Sequence, residues 1–171
     1  AATRGDPATV ESLDAAAEIA RMRGAPAAAA ELLDLAIGLG GDTARRRIGS
    51  AALHFTAGDS AHARTILERV LDRPASAGLR AEALSLLAVI SQLEGSVLEG
   101  FDALERALVD AGDDLALRVQ ILVSLAWAHT HIAGEFAKTS CFIEDAVAGA
   151  TRLNDPHLLS QALGMSAVVH I

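Results

Sequence analysis

Apolar positions recur along this chain at helical spacing, and the polar breaks between them recur as well. In LHFTAGDSAHARTILERVL, residues 53–71, Ala63, Leu67 and Val70 stand five, nine and twelve residues after Gly58. That spacing places them on one face of a helix. The same offsets give Ala29, Leu33 and Ala36 after Gly24, Gly100, Leu104 and Ala107 after Gly95, and Thr139, Ile143 and Ala146 after Gly134. A small residue lets the second helix of a hairpin approach the first, and a larger apolar one a turn later fills the space beside it. Seven residues before each glycine, where the first helix must also be small, stand Ala17, Ala51, Ala88 and Trp127. Trp127 breaks the rule: either the fourth hairpin opens wider there, or its first helix is offset by one residue.

The breaks carry stop and start chemistry. Glycine suits the position just past a helix end, Asp59 or Ser60 can cap the next helix, and Pro26 fits a first turn where no amide partner is needed. Asp6-Pro7 and Asp155-Pro156 have the same form, while DRPASAG at 72–78 and DAGDD at 110–114 separate successive hairpins. The pattern predicts helices over about 7–23, 26–39, 43–57, 60–72, 79–94, 97–110, 114–133, 136–152 and 156–171. The fold expected is all-α: a right-handed solenoid of antiparallel helical hairpins, about four and a half repeats, forming one domain over 1–171.

The four glycines are 34, 37 and 39 residues apart, around the roughly 34-residue period of the tetratricopeptide repeat (TPR). The wording of the segments goes further. LDAAAEIARMRGAPAAAAELLDLAIGL at 13–39, AALHFTAGDSAHARTILERVL at 51–71 and LALRVQILVSLAWAHTHIAGEF at 115–136 resemble the repeat region of large ATP-binding transcription regulators of the LuxR family. The resemblance runs over the whole chain. It implies an ATPase domain upstream, a helix-turn-helix domain downstream, and a middle helical region that senses or relays a signal. The opening AATRGDPATVES, with no initiator Met and no apolar signal core, agrees with a piece of a larger protein.

Composition narrows the partners. The chain has 171 residues, 51% hydrophobic and 3% aromatic, with a net charge of -8. Nucleic-acid affinity depends on Lys and Arg displacing counterions from phosphates, so this segment is not expected to hold DNA itself. The most apolar run, ILVSLAWAHTHIAG at 121–134, falls short of the roughly 20 residues that span a bilayer and reads as a buried helix. A single Cys141 cannot form an internal disulfide, in keeping with a cytoplasmic location.

Candidate chemistry fails on spacing. GLGGDTARRR at 38–47 lacks the lysine and the preceding strand of a phosphate loop and reads as a helix-helix turn. Arg45, Arg46 and Arg47 open a repeat helix, where a solvated face or pairing with Asp42 and Asp59 is expected ahead of an anion site. His129 and His131 point about 200° apart on a helix and cannot share a metal. Cys141, among Phe142, Ile143 and Ala146, reads as a small buried hydrophobe, and Glu11, Asp14 and Glu18 as a solvated acidic stripe. No catalytic residue, cofactor or metal is expected.

Recognition remains. In repeats of this type the first helix of each hairpin lines the concave side. With each glycine taken as position 15, positions 2, 5, 9 and 12 are Arg45, Ile48, Ala52 and Phe55 in the second repeat. They are Glu82, Ser85, Val89 and Gln92 in the third, and Ile121, Ser124, Ala128 and His131 in the fourth. This mixture suits a protein, peptide or small effector; the alternative is that these residues pack against the next helices or against other domains of the parent protein. Two roles stay open: the sensor and scaffold segment of a LuxR-type regulator, or a stand-alone adaptor for a protein partner. The last helix, 156–171, lacks the second half of its hairpin, so Leu158, Leu159, Leu163 and Val168 or Val169 are expected to form an exposed stripe that favours a homodimer or a crystal contact.

Overall fold

A computed structural model describes residues 6–133 and 136–169. Among them all regular structure is helical. The chain packs as two compact units, Ala1–Ala75 and Ser76–Ile171. The first contains α1 (Pro7–Met22), α2 (Pro26–Ala36), α3 (Ala44–Thr56) and α4 (Ser60–Leu71); the second contains α5 (Ala77–Leu93), α6 (Val97–Asp110), α7 (Leu115–Ala128), α8 (Phe136–Leu153) and α9 (Pro156–Val169). Within each unit consecutive helices pack on one another, and α9 also returns onto α7. The described residues thus form four hairpins and one further helix.

The turn at Gly58 shows why the chain reverses where it does. Gly58 has φ 93°, a left-handed conformation that costs a Cβ-bearing residue about 1 kcal/mol or more. Its N–H donates to the Phe55 carbonyl and the Asp59 N–H to that of His54, which satisfies two carbonyls that the ending helix leaves open. The same pair of bonds recurs at Gly24 and Gly95. Asp59 then caps α4, its Oδ1 accepting from the His62 N–H at 3.1 Å. Thr43, Asp114 and Asp155 cap α3, α7 and α9 in the same way. Asp6 makes no such side-chain bond, so its likeness to Asp155 stops at the proline that follows.

The small-large-small register forms the seams of the hairpins. Of the twelve positions read after the glycines, all but the half-buried Leu33 are buried. Gly100 shows how close the helices come. A Cβ there would lie 3.1 Å from the Ala88 carbonyl oxygen and 2.8 Å from Gln92 Cγ. In the second unit Val119, Leu122, Ala146, Ala150, Leu158 and Ala162 interlock α7, α8 and α9. Leu158 is therefore core, and Leu159 packs partly buried against it, contrary to an exposed stripe along the last helix. Leu163 does remain exposed. The side chains of Val168 and Val169 lie outside the described residues.

Two helices end in π-turns, Ile37–Gly41 and His129–Ala133, where the sequence pattern predicts unbroken α-helix to about 39 and 133. Helix α5 begins at Ala77 rather than about 79, because Ser76 serves as its cap, Oγ facing the Leu79 N–H at 3.5 Å. In the first unit Arg46 pins α3 to α1: Nη2 lies 2.7 Å and Nε 2.9 Å from the Asp14 carboxylate, and Nη1 donates to the Gly41 carbonyl at 2.7 Å. Asp14 is thus part of an interhelical fork rather than a solvated stripe. Arg47 pairs with Asp42 as expected, whereas Asp59 is occupied with its cap. Cys141 is exposed, not buried; Ile143 and Ala146 turn inward in its place. No described helix is long and apolar enough to cross a membrane.

Candidate functional site

The register of α7 determines what the second unit presents. Trp127 is 42% exposed, while Ala126 and Ala128 on either side are fully buried. A π-turn closes on the fifth residue back instead of the fourth, so His129–Ala133 adds one residue between α7 and the break that follows. Gly134 itself lies outside the described residues. Counting the extra residue moves the small seam position from Trp127 to Ala126, and the offset alternative holds. It also moves the outward positions Ile121, Ser124 and Ala128 to Gln120, Val123 and Trp127, while His131 lies within the π-turn itself and stays exposed, and Thr130 Oγ1 lies 3.2 Å from that of the buried Thr139 on α8. The burial of Ile121 and Ala128 agrees with that shift.

Val123 and Trp127 meet α5 and α9 across a cleft of about 380 Å³. Its walls are Val89, Gln92 and Leu93 of α5, Val123, Ser124 and Trp127 of α7, and Met165 of α9. Leu93 is 70% exposed at the rim. The His131 ring stacks on Trp127 at 4.9 Å between centroids, with Nδ1 3.0 Å from the Trp127 carbonyl oxygen.

The cleft has few polar groups. Ser124 Oγ is turned back onto its own helix, donating to the Gln120 carbonyl at 3.0 Å. The Gln92 Nε2 is buried and lacks a hydrogen-bond partner. A buried amide donor left unpaired costs about 1–3 kcal/mol. Gln92 faces α6 where Gly100 provides no side chain, so the close approach of these helices sets the position of the amide.

Of the residues read from sequence as a groove, Val89, Gln92 and Ser124 come together in this cleft. Ser85 lies half-buried on α5 with Oγ donating to the Ala81 carbonyl at 2.8 Å, and Glu82 is half-buried a turn earlier. Arg45 is exposed and Phe55 and Ala52 are half-buried on α3 of the first unit, where Ile48 is buried and offers little surface. Sequence reasoning missed Leu93, Val123, Trp127 and Met165. The misfit of Trp127 among Ala17, Ala51 and Ala88 was the signal for two of them, because a bulky residue cannot occupy a seam of alanines and must turn outward. His129, read as unable to share a metal with His131, is buried between the rings of Phe101 and Phe142, at 4.6 and 5.3 Å.

Neither a family model nor a curated protein matches the sequence. Solved structures do match the fold. A putative kinesin light chain of Podosopora anserina with nearly identical TPR-like repeats has a TM-score of 0.68 and 21% identity, covering 95% of this chain and 89% of that one. The MamA protein has a TM-score of 0.62 and 13% identity, covering 90% of this chain and 91% of that one. A double mutant, MamA RS-1 ArsTM, has a TM-score of 0.63 and 15% identity over 98% of this chain and 96% of its own. Identities this low speak to architecture alone, and the architecture they share with this chain is the all-α TPR-like repeat fold.

Proposed function

We propose that the chain is a non-catalytic recognition segment that takes up a peptide stretch of a protein partner, seating an apolar side chain in the cleft between α5, α7 and α9. The exposed Trp127 indole beside the apolar walls of the cleft carries the reading. A peptide offers the match for these walls, an apolar side chain to pack among Val89, Val123, Trp127 and Met165. The net charge of -8 favours a neutral or basic segment over a polyanion. The likeness of residues 13–39, 51–71 and 115–136 to LuxR-family regulators supports a finer role, in which occupancy of the cleft is relayed to ATPase and DNA-binding domains outside this chain.

The test is peptide display against the purified chain, with selected peptides titrated against Val123→Glu. A carboxylate in the cleft is expected to weaken binding at least about tenfold; because Val123 also packs against the α7–α8–α9 core, the melting temperature should fall, and circular dichroism at the binding temperature checks that the variant is folded. Peptides that bind parent and variant alike would remove the cleft from the proposal. The regulator role is decided separately by the adjoining coding sequence: a phosphate-binding loop upstream and a helix-turn-helix downstream support it, and their absence leaves a stand-alone adaptor.

A further inference from the structure

The first unit brings together three metal-ligating side chains that lie far apart in sequence. Asp34 comes from α2, His54 from the last turn of α3 and His62 from the first turn of α4. His54 Nε2 is 2.8 Å from Asp34 Oδ2. The rings of His54 and His62 meet edge to face with centroids 4.4 Å apart. One ligand atom from each of the three residues can be chosen so that all lie within 4.8 Å of one another.

We propose that Asp34, His54 and His62 bind a divalent transition-metal ion of the zinc class. Two imidazoles and one carboxylate form a donor set that suits Zn²⁺, Co²⁺ or Ni²⁺, whereas Mg²⁺ and Ca²⁺ favour oxygen ligands throughout. Metal bonds of about 2.0–2.2 Å to nitrogen and oxygen place tetrahedral ligand atoms roughly 3.3 Å apart. The Asp34–His54 pair therefore opens slightly, and the exposed His62 ring swings inward by a side-chain rotation. The metal takes the place of the hydrogen between His54 Nε2 and Asp34 Oδ2: an imidazolium releases that proton to solvent, whereas a neutral ring exchanges it through solvent for one on Nδ1, so His54 binds as neutral imidazole in either case.

The carboxylate is already oriented for this task. Ser50, wholly buried on α3, donates its Oγ–H to Asp34 Oδ1 at 2.6 Å and leaves Oδ2 for His54. A hydrogen bond to the non-ligating oxygen is the kind of outer support that metal carboxylates use. Arg47, whose charge Asp34 also feels, is bonded to Asp42 at 2.6 Å and is not drawn into the cluster. An ion pair alone accounts for Asp34 and His54 but gives no reason for a second imidazole against the first. With three protein ligands and His62 at the surface, a fourth position faces outward, open to water or to a donor from a partner protein.

The experiment uses the full chain without a polyhistidine tag, stripped with chelator and titrated with Co²⁺, then with Zn²⁺ in competition. One equivalent of Co²⁺ is expected, with the visible absorption of a low-coordinate site, displaced by one equivalent of Zn²⁺ in calorimetry. His62→Ala and Asp34→Asn should each lower the affinity by about 100-fold or more, and Ser50→Ala by about 10–100-fold. His131→Ala and His157→Ala should leave it unchanged. His62 is exposed, so circular dichroism of His62→Ala should match the parent and separate lost binding from lost folding. No uptake of Zn²⁺ up to about 1 mM, or uptake that survives His62→Ala, would overturn the proposal.

Discussion

Two glycines of the second unit allow the seam between helices to be weighed against helix propensity. Gly149 lies inside α8, where a Cβ would come within 2.6 Å of Val119 Cγ2 and 3.3 Å of Leu115 Cδ1. Carbon atoms rest about 3.5–4.0 Å apart, so the overlap with Val119 is about 1 Å. Val119 has no easy escape. It is fully buried against Ala146 and Ala150, and a β-branched residue in a helix has one strongly preferred rotamer. Relieving the overlap by parting α7 from α8 should cost about 1–3 kcal/mol. Replacing glycine by alanine in a helix interior returns about 0.5–1 kcal/mol, so Gly149→Ala should be destabilised by roughly 1–2 kcal/mol net.

Gly164 provides the control. It lies in α9, and nothing stands within 4 Å of the Cβ that alanine would add. Gly164→Ala should therefore be stabilised by about 0.5–1 kcal/mol. The chemical change is the same at both sites, so the difference of about 1–3 kcal/mol isolates the steric contribution of the seam. Urea unfolding followed by the fluorescence of Trp127, the sole tryptophan, reads this unit directly. Adding Val119→Ala to Gly149→Ala should return part of the loss as a favourable coupling. If Gly149→Ala proved as stable as Gly164→Ala, the close packing of α7 on α8 would be refuted.

Two further predictions concern the first unit. Leu67→Ala empties a fully buried position in α4 and should lower stability by about 2–5 kcal/mol in chemical denaturation; equal stability would contradict the register read after Gly58. Asp42 accepts from Arg47 at 2.6 and 2.8 Å and from Arg73 at 3.3 Å, and the Arg47 hydrogen bonds hold its carboxyl below the usual carboxylate range. A folded-state pKa depressed in this way contributes stability above the unfolded value of about 3.9 and loses it as pH falls through the folded value. Because the carboxylate is 40% exposed, the contribution should stay under about 1 kcal/mol, and Asp42→Asn should flatten the loss of stability below about pH 4. An acid limb of the same slope in both proteins would show that the pair is not coupled to folding.

Fold and site were unequally legible in the sequence, for a physical reason. The hairpins depend on local choices repeated in register: glycine past a helix end, an oxygen to cap the next, and alanine where helices touch. Each leaves a mark within a dozen residues, and the bounds of α4 and α6 follow closely. The cleft depends instead on a single inserted residue. The π-turn at His129–Ala133 has no compositional signature in HTHIA, yet it turns every side chain of α7 through about 100° relative to the repeat, trading Ala128 for Trp127 and Ser124 for Val123 on the outward face.

The misfit of Trp127 was therefore the informative residue, because packing decides between the two registers where periodicity alone does not. The cluster of Asp34, His54 and His62 obeys the same logic in reverse. His54 and His62 stand four residues before and four after Gly58, and a turn that folds two helices face to face brings those positions together. At Gly24 the same offsets hold Ala20 and Ala28, and at Gly95 Ser91 and Glu99. A repeat that places the same two positions against each other at every turn needs only a change of side chain to acquire a ligand pair. Asp34 completes the set because α2 packs on α3, a contact that no spacing within one hairpin encodes.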